Sequence, residues 1–270
     1  MTPKRKQSLA ILFPLLVVGL VACTPATDET SDPEPVDPAT RVHVTADSDA
    51  RAIEIAQAVM ETLGGWDNWD RTRYLSWKFF GGRQHHWDRH TGDIRIEATL
   101  GQEEEEKEDY VFEMNVDTLA GRVWKNGEEV NDAGALAQAL ELGHKLWVND
   151  SYWLVMPYKL LDPGVTLKYA GEREMADKRM ADILELTFGE GVGYTPENRY
   201  EVYVAKDTGL VEQWSFYSEA DDDVQGFTLP WADWQPFGDI MLATNKGRGA
   251  DWAIVVSEDV PAGVFGVGGE

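Results

Sequence analysis

The 270-residue sequence contains a single cysteine, Cys23. A disulfide needs two thiols, so none can form within the chain, and stability has to come from the burial of apolar side chains. Positive charge is also scarce, because 24 Lys and Arg stand against 48 Asp and Glu, a formal net charge of −24. Binding to a phosphate backbone needs a basic surface, so this charge argues against nucleic acid as a partner.

The N-terminal apolar run is too short to span a bilayer. Leu9–Val21 has about 13 residues, whereas a helix needs roughly 20 to cross the hydrocarbon. The run follows the basic residues Lys4-Arg5-Lys6 and leads into Ala22-Cys23, a pattern typical of a bacterial secretory signal. We therefore predict a lipoprotein signal peptide at residues 1–22, in preference to a single transmembrane anchor.

Cys23 resembles the acylated first residue of a mature lipoprotein, since a diacylglyceryl thioether needs a free thiol directly after the cleavage point. Removing residues 1–22 takes away three cations and no acid, which leaves a formal charge of −27 that repels anionic headgroups. We therefore expect attachment to the lipid bilayer through the acyl groups of Cys23, palmitate among them, and not through a basic patch. The expected location is the cell envelope, at the outer membrane, on its periplasmic or surface face.

The rest of the chain divides into three parts. Residues 23–47 are rich in Pro, Thr, Asp and Glu and have almost no large apolar residue, which predicts a lipidated disordered tether. Residues 48–258 are expected to form one domain, as a monomer, and residues 259–270 a flexible C-terminal tail.

Hydrophobic periodicity predicts a mainly β fold of the α+β class. An amphipathic helix is expected over residues 49–63, with Ser48 placed to cap its start. Period-two alternation then predicts roughly ten half-buried antiparallel strands, and a sheet that large must curl. A helical insert is expected from Asp132, followed by a second short element at residues 151–156 that Pro157 interrupts.

Two segments carry a resemblance to a known family. The helix ending in Leu63-Gly64-Gly65-Trp66, and the segment Asp150 to Gly164 (DSYWLVMPYKLLDPG), resemble bacterial outer-membrane lipoprotein-sorting and carrier proteins of the LolA/LolB-like superfamily. The resemblance covers residues 49–257. It implies a large curved antiparallel sheet forming an incomplete barrel, with an N-terminal helix and a mid-chain helical lid over an apolar concave face that accepts acyl chains. It transfers no functional arginine to this chain.

Aromatic and apolar residues on the strand faces and the lid are the candidate ligand-binding residues. They are Trp77, Phe79, Trp153, Met156, Trp214 and Phe216. Bulky aromatic side chains line apolar pockets as well as cores. Two interpretations therefore stay open: a cell-envelope lipoprotein that binds a lipid or lipoprotein acyl chain in an aromatic-lined cavity, or a non-catalytic scaffold lipoprotein with a filled core that acts through its surface.

No catalytic residue, metal site or cofactor is predicted. His85 and His86 are neighbours on a strand and point to opposite faces, so they do not converge on one ion, and a zinc site needs three or four ligands. The sequence has no Gly-x-Ser-x-Gly elbow, and its one thiol is expected to be acylated. The segment Gly189–Gly193 lacks the spacing of a phosphate-binding loop. We therefore expect that the protein is not an enzyme.

Overall fold

The computed structural model describes residues 38–266, so Cys23, the expected signal peptide and most of the expected tether lie outside the described residues. The helices are α1 (Ala50–Thr62), α2 (Trp66–Arg71) and α3 (Ala133–Val155). None of the helices between residues 38 and 266 has the length and apolarity that crossing a membrane requires.

Seven strands form the first antiparallel sheet. They are β1 (Tyr74–Phe79), β2 (Arg83–Asp88), β3 (Asp93–Leu100), β4 (Glu108–Asn115), β5 (Gly121–Lys125), β6 (Glu128–Glu129) and β14 (Val255–Ser257). Their order is β14-β1-β2-β3-β4-β5-β6. Consecutive strands therefore pair as a meander, and the C-terminal strand β14 adds to β1 with Val256 opposite Leu75.

Five strands form the second antiparallel sheet. They are β7 (Val165–Glu174), β8 (Met180–Phe188), β9 (Arg199–Ala205), β10 (Val211–Tyr217) and β11 (Phe227–Pro230). Their order, β11-β10-β9-β8-β7, is again a meander. A separate hairpin pairs β12 (Ala232–Phe237) with β13 (Ile240–Asn245).

The mainly β fold with an open, incomplete barrel and covering helices is confirmed. The strands nevertheless divide into two large sheets, where the sequence predicted one. The reason is the position of α3, which separates β6 from β7 along the chain. Antiparallel neighbours are normally joined by short turns, so a helix of 23 residues at this point ends one meander before the next begins.

Helix α1 forms where the sequence predicted it, but Ser48, the residue expected to cap it, binds elsewhere. Ser48 Oγ accepts a hydrogen bond from the backbone N–H of Leu167 at 3.1 Å. The Asp49 carboxylate accepts one from the backbone N–H of Tyr169 at 3.0 Å. Both side chains therefore tie the start of α1 to strand β7 and leave the first turn of the helix without a side-chain cap.

The last residues of the expected tether lie against the domain. The backbone N–H of His43 donates to the Leu161 carbonyl at 3.0 Å, and the N–H of Thr45 donates to the first residue of β7 at 2.8 Å. The side chains of Val42 and Val44 pack against the main core. The structure thus extends the folded domain back to residue 42, because these two valines supply apolar surface that the preceding Pro- and Asp-rich stretch lacks.

The mid-chain insert is one continuous helix. Asp132 caps it as predicted, since its carboxylate accepts a hydrogen bond from the Ala135 N–H at 2.9 Å. The short element that the sequence separated, residues 151–156, belongs to the last turns of α3 and the start of a 3-10 turn. Pro157 lies in that turn, where its missing N–H breaks no bond within α3.

Helix α3 packs on both sheets. In its first half, Gly143 lies against the Phe112 ring of β4, where a Cβ would come within 2.7 Å of the ring, so the close approach depends on glycine. In its last turn, Leu154 and Val155 enter the main core together with residues of α1 and the five-stranded sheet. The C-terminal half of α3 is therefore positioned over the second sheet.

Lys246 is a buried lysine that has no carboxylate partner among residues 38–266. Lys246 is 1% exposed, its Nζ lies 3.8 Å from the centre of the Trp231 ring and 5.6 Å from that of Trp252, and it donates a hydrogen bond to the Ala243 carbonyl at 2.9 Å. A desolvated cation gains about 2 kcal/mol from an aromatic face. Removing an ammonium from water costs several kcal/mol. Burial therefore dominates and lowers the pKa of Lys246 well below its ordinary value.

Candidate ligand cavity

A cavity of about 760 Å³ lies between the C-terminal half of α3 and the five-stranded sheet. Three segments form its walls: residues 144–153 of α3, residues 159–165 after that helix, and residues 188–200 at the ends of β8 and β9. The stretch of α3 is ten residues long, and at 1.5 Å per residue it spans about 14 Å along the helix axis. The cavity therefore has an elongated wall on its helical side.

Three aromatic rings form the apolar wall. Tyr152 lies 6.1 Å from Phe188 and 6.0 Å from Tyr200, and Phe188 lies 6.0 Å from Tyr200, all between ring centres. Trp214 stacks behind Tyr200 at 5.0 Å, with 3° between the ring planes. Trp153 meets Trp214 edge-on at 4.6 Å. The wall is thus backed by a second layer of packed rings.

Two polar atoms of the wall residues are buried. The Tyr152 hydroxyl and the Trp147 indole Nε1 have no hydrogen-bond partner within residues 38–266, and neither is accessible to solvent. Burial raises the pKa of the Tyr152 hydroxyl well above its ordinary value, so the phenol is neutral. The two residues accordingly present ring carbons to the cavity, and this part of the wall is apolar.

A glycine-rich loop between β8 and β9 covers one side of the cavity. Gly191 and Gly193 have φ angles of +78° and +69°, which glycine adopts without strain. Val192 between them packs against Gly164, where a Cβ would come within 2.4 Å of a Val192 methyl group. The glycines of the segment 189–193 therefore allow the loop to turn so that Val192 packs beside the cavity.

Polar groups lie near the N-terminal end of the helical wall. His144 Nδ1 and the Tyr194 hydroxyl are hydrogen-bonded at 2.6 Å. Lys145 Nζ lies 5.3 Å from the centre of the Tyr194 ring and forms an ion pair with Glu141 at 2.6 Å. Partial burial lowers the pKa of His144, so its ring is neutral at pH 7. Lys145 therefore carries the positive charge at this end.

The wall is positive although the chain is acidic. Its other charged side chains are Lys159 and Asp162, which pair with each other. Two lysines and one aspartate give the wall a formal charge of +1, with His144 neutral, whereas the whole chain carries −24. An anionic group would therefore meet less repulsion here than on the surrounding surface.

The six candidate binding residues do not gather at this cavity. Trp153 lines it. Trp77, Met156 and Trp214 are 0%, 0% and 1% exposed and fill the core. Strand alternation correctly placed Trp77 and Trp214 on inward faces, and Met156 was expected on the lid. An inward face, however, meets packed core over most of its area and a void over only a small part.

Phe79 and Phe216 are half-buried, and each packs against other aromatic side chains away from the cavity wall. Phe79 contacts Phe80 edge-on, with ring centres 4.8 Å apart, and Phe216 stacks on Phe227 at 5.0 Å. The structure therefore brings one of the six residues, Trp153, to the cavity. Ligand binding by all six residues stays a prediction.

The aromatic wall contains residues that the sequence reasoning did not select. Tyr152 precedes Trp153 in the segment that carried the family resemblance. Phe188 is the last residue of β8, and Tyr200 is the second residue of β9. Tyr200 alternates with Val202 and Val204, which lie in the main core, so period two carries a signal for an inward face. The sequence does not indicate where α3 crosses that face.

The histidines near β2 take separate partners. His85 Nε2 donates to the Asp150 carboxylate at 2.7 Å, His86 Nδ1 lies 2.6 Å from the Tyr74 hydroxyl, and His90 Nε2 lies 2.9 Å from a backbone carbonyl of α2. Within the part of the chain that the structure describes, no three His, Cys, Asp or Glu side chains are grouped as a metal site.

Asp150 links α3 to the seven-stranded sheet. Its fully buried carboxylate accepts two hydrogen bonds from Arg83, at 2.7 and 2.8 Å, besides the one from His85. Burial alone would raise the pKa of Asp150, but the hydrogen bonds from Arg83 and His85 outweigh it and lower the pKa. Burial lowers the pKa of His85, so that ring is neutral at pH 7. This network holds the helix that forms one wall of the cavity.

Comparison with known proteins gives matches among solved structures. No protein-family model matches the chain, and no curated protein matches its sequence. The chain is similar to a domain described as an outer membrane lipoprotein-sorting protein from Vibrio parahaemolyticus. The two share 8% identity with a TM-score of 0.38, over 78% of this chain and 94% of that one.

MucB is a second similar structure, with 16% identity and a TM-score of 0.23 over 62% of this chain and 53% of that one. The third is the MucA/MucB complex of Pseudomonas aeruginosa, with 19% identity and a TM-score of 0.23 over 62% and 51%. The present chain thus spans about half the length of these two matched chains.

Proposed function

We propose that this chain is a cell-envelope lipoprotein that binds a hydrophobic ligand, a lipid or lipoprotein acyl chain, in the cavity beside α3. The observation that carries the proposal is the aromatic-walled space of about 760 Å³. Small-molecule sites are typically about 300–1,000 Å³, mostly apolar, with a few polar groups that orient the ligand. The rings of Tyr152, Phe188 and Tyr200 provide the apolar part, and His144 and Lys145 provide the polar part.

The alternative, a scaffold lipoprotein with a filled core, has less support. Close-packed interiors leave voids near the size of one water molecule, whose share of liquid volume is about 30 Å³. The cavity is roughly 25 times that volume. Trp77 and Trp214, by contrast, are buried in filled core. A space of this size favours a binding site.

Anchoring through Cys23 is the second part of the proposal. The segment between Cys23 and Arg41 has 17 residues and, fully extended, reaches at most about 60 Å. That reach is sufficient to hold the domain clear of the headgroups on the envelope face of an outer membrane. Support for this part comes from the signal-like pattern before Cys23 and from the polar composition after it.

A cavity-filling substitution tests the binding proposal. Val148 lies on the α3 wall and is half-buried, so Val148→Trp should occupy part of the space. We expect the purified mature protein to bind a fluorescent fatty acid with saturation, and Val148→Trp to weaken that binding at least tenfold. The matched control is Val224→Trp at a position that is 79% exposed, which should leave binding unchanged. Absence of saturable binding to the unaltered protein would refute the proposal.

A further inference from the structure

The volume of the cavity sets how much of a ligand it can enclose. A methylene group is close to a water molecule in size, and at about 30 Å³ for each such group a space of about 760 Å³ holds roughly 25 non-hydrogen atoms. A single acyl chain of about 16 to 18 carbons with a small head fits within that number. A lipid with two such chains brings more than about 32 chain carbons before its head is counted, and a triacylated lipoprotein N-terminus brings more again.

The walls offer little room to expand for a second chain. Tyr200 is backed by Trp214, which is 1% exposed and also meets Trp231 edge-on at 5.2 Å. Opposite them, Asp150 fixes α3 to the seven-stranded sheet through Arg83. Displacing either wall would break close packing or a buried ion pair.

The positive charge of the wall indicates that the head group of the ligand is anionic. Lys145 lines the cavity, whereas its ion-pair partner Glu141 does not. Exposed pairs four residues apart on a helix are weak, so an anionic head could replace Glu141 at little cost. His144 and the Tyr194 hydroxyl lie beside Lys145 and add hydrogen-bonding groups at the same end.

We propose that the cavity takes one acyl chain that ends in an anionic group, with the chain against Tyr152, Phe188 and Tyr200 and the anionic group at Lys145. This inference rests on the proposed ligand-binding function and narrows it to single-chain amphiphiles. A free carboxylate and the phosphate of a single-chain phospholipid share the required chemistry.

Competition against a fluorescent fatty acid bound to the mature protein tests the inference. Palmitate and single-chain lysophosphatidic acid should both displace the probe, and their relative strength shows whether carboxylate or phosphate is preferred. Methyl palmitate should compete at least fivefold more weakly because it lacks the charge. Dipalmitoyl phosphatidic acid, with the same head and two chains, should compete at least tenfold more weakly than its single-chain counterpart.

The Lys145→Gln variant tests whether the anionic group of the ligand binds at Lys145. This variant should weaken palmitate binding about fivefold and leave methyl palmitate unchanged. The matched control is Lys178→Gln, which removes another exposed lysine paired four residues away, with Glu174, and should change neither ligand. Equal competition by the two-chain lipid would overturn the single-chain inference, and an unchanged palmitate affinity in Lys145→Gln would overturn the assignment of the head. Either result leaves the proposed function standing, whereas a failure of the probe to bind at all refutes both.

Discussion

Replacing Asp150 with alanine should destabilise the protein strongly, because this carboxylate is the buried link between α3 and the seven-stranded sheet. The substitution leaves the Arg83 guanidinium without its two hydrogen bonds at 2.7 and 2.8 Å and the His85 ring without its acceptor at 2.7 Å. The Asp150 side chain is 0% exposed, so water does not replace these contacts while the helix remains in place.

The expected loss in the free energy of unfolding follows from the burial of these side chains. Removing one partner of a buried ion pair costs about 3–5 kcal/mol. The Arg83 side chain is 25% exposed and keeps part of its hydration, which favours the low end, about 3 kcal/mol. The neutral His85 ring, 1% exposed, loses one hydrogen bond, worth about 1 kcal/mol. The sum of about 4 kcal/mol corresponds to a Tm lower by about 8–16 °C for a domain of this size.

Urea unfolding followed by tryptophan fluorescence measures this loss. The matched control is Glu174→Ala, which removes the acid of an exposed pair with Lys178 and should change the free energy of unfolding by less than about 1 kcal/mol. A loss below about 1 kcal/mol in Asp150→Ala, similar to the control, would show that the buried network does not hold α3.

Acid should reproduce part of this loss in the unaltered protein. Burial keeps the pKa of His85 below its ordinary 6.5, so below about pH 6.5 the unfolded chain binds a proton that the folded chain does not, and stability falls. The pKa of Asp150 is lowered from 3.8, so its stabilisation is complete above that pH and disappears as the pH falls through the folded value. The second decrease should be absent from Asp150→Ala, as pH-dependent unfolding curves can show.

Two further predictions concern the buried lysine and the lone cysteine. Lys246→Met should stabilise the fold by about 1–3 kcal/mol, because it keeps the packing against Trp231 and removes a buried amine. The gain in the free energy of unfolding should be largest at low pH and shrink as the pH rises toward 10.5. A Tm at pH 7 that is lower in the variant than in the unaltered protein, measured by calorimetry, would contradict this prediction. Cys23→Ser should block lipidation and membrane retention; palmitate labelling with fractionation would decide this, and a variant that still matures and stays with membranes would overturn the lipoprotein assignment.

The parts of the fold that local sequence determines could be predicted. Alternation identified the half-buried antiparallel strands, and Asp132 identified the start of α3, because period two and capping act over a few residues. Ser48 was misread as a cap because its hydroxyl binds Leu167, which is 119 residues away along the chain. The division into two sheets likewise depends on where α3 packs, which is a property of the whole domain.

The site was harder to predict than the fold. Trp214 and Tyr200 stack on each other, yet Trp214 fills the core while Tyr200 faces the cavity. Alternation assigns both to inward faces and cannot separate them. Whether a ring faces the cavity or the packed core depends on the segments that lie next to it. Those segments are α3, the Gly164 turn and the loop that carries Val192. The void forms where these three segments meet.

The most direct test of the ligand-binding account is to extract and quantify the non-covalent lipid that purifies with the mature protein. Mass spectrometry of the organic extract reads this lipid, while acyl groups bound to Cys23 stay with the protein. The account predicts about one single-chain amphiphile per molecule of the unaltered protein and of Val224→Trp, and at least tenfold less with Val148→Trp. Extracts without bound lipid from the unaltered protein, or equal amounts from the cavity variant and its control, would contradict it.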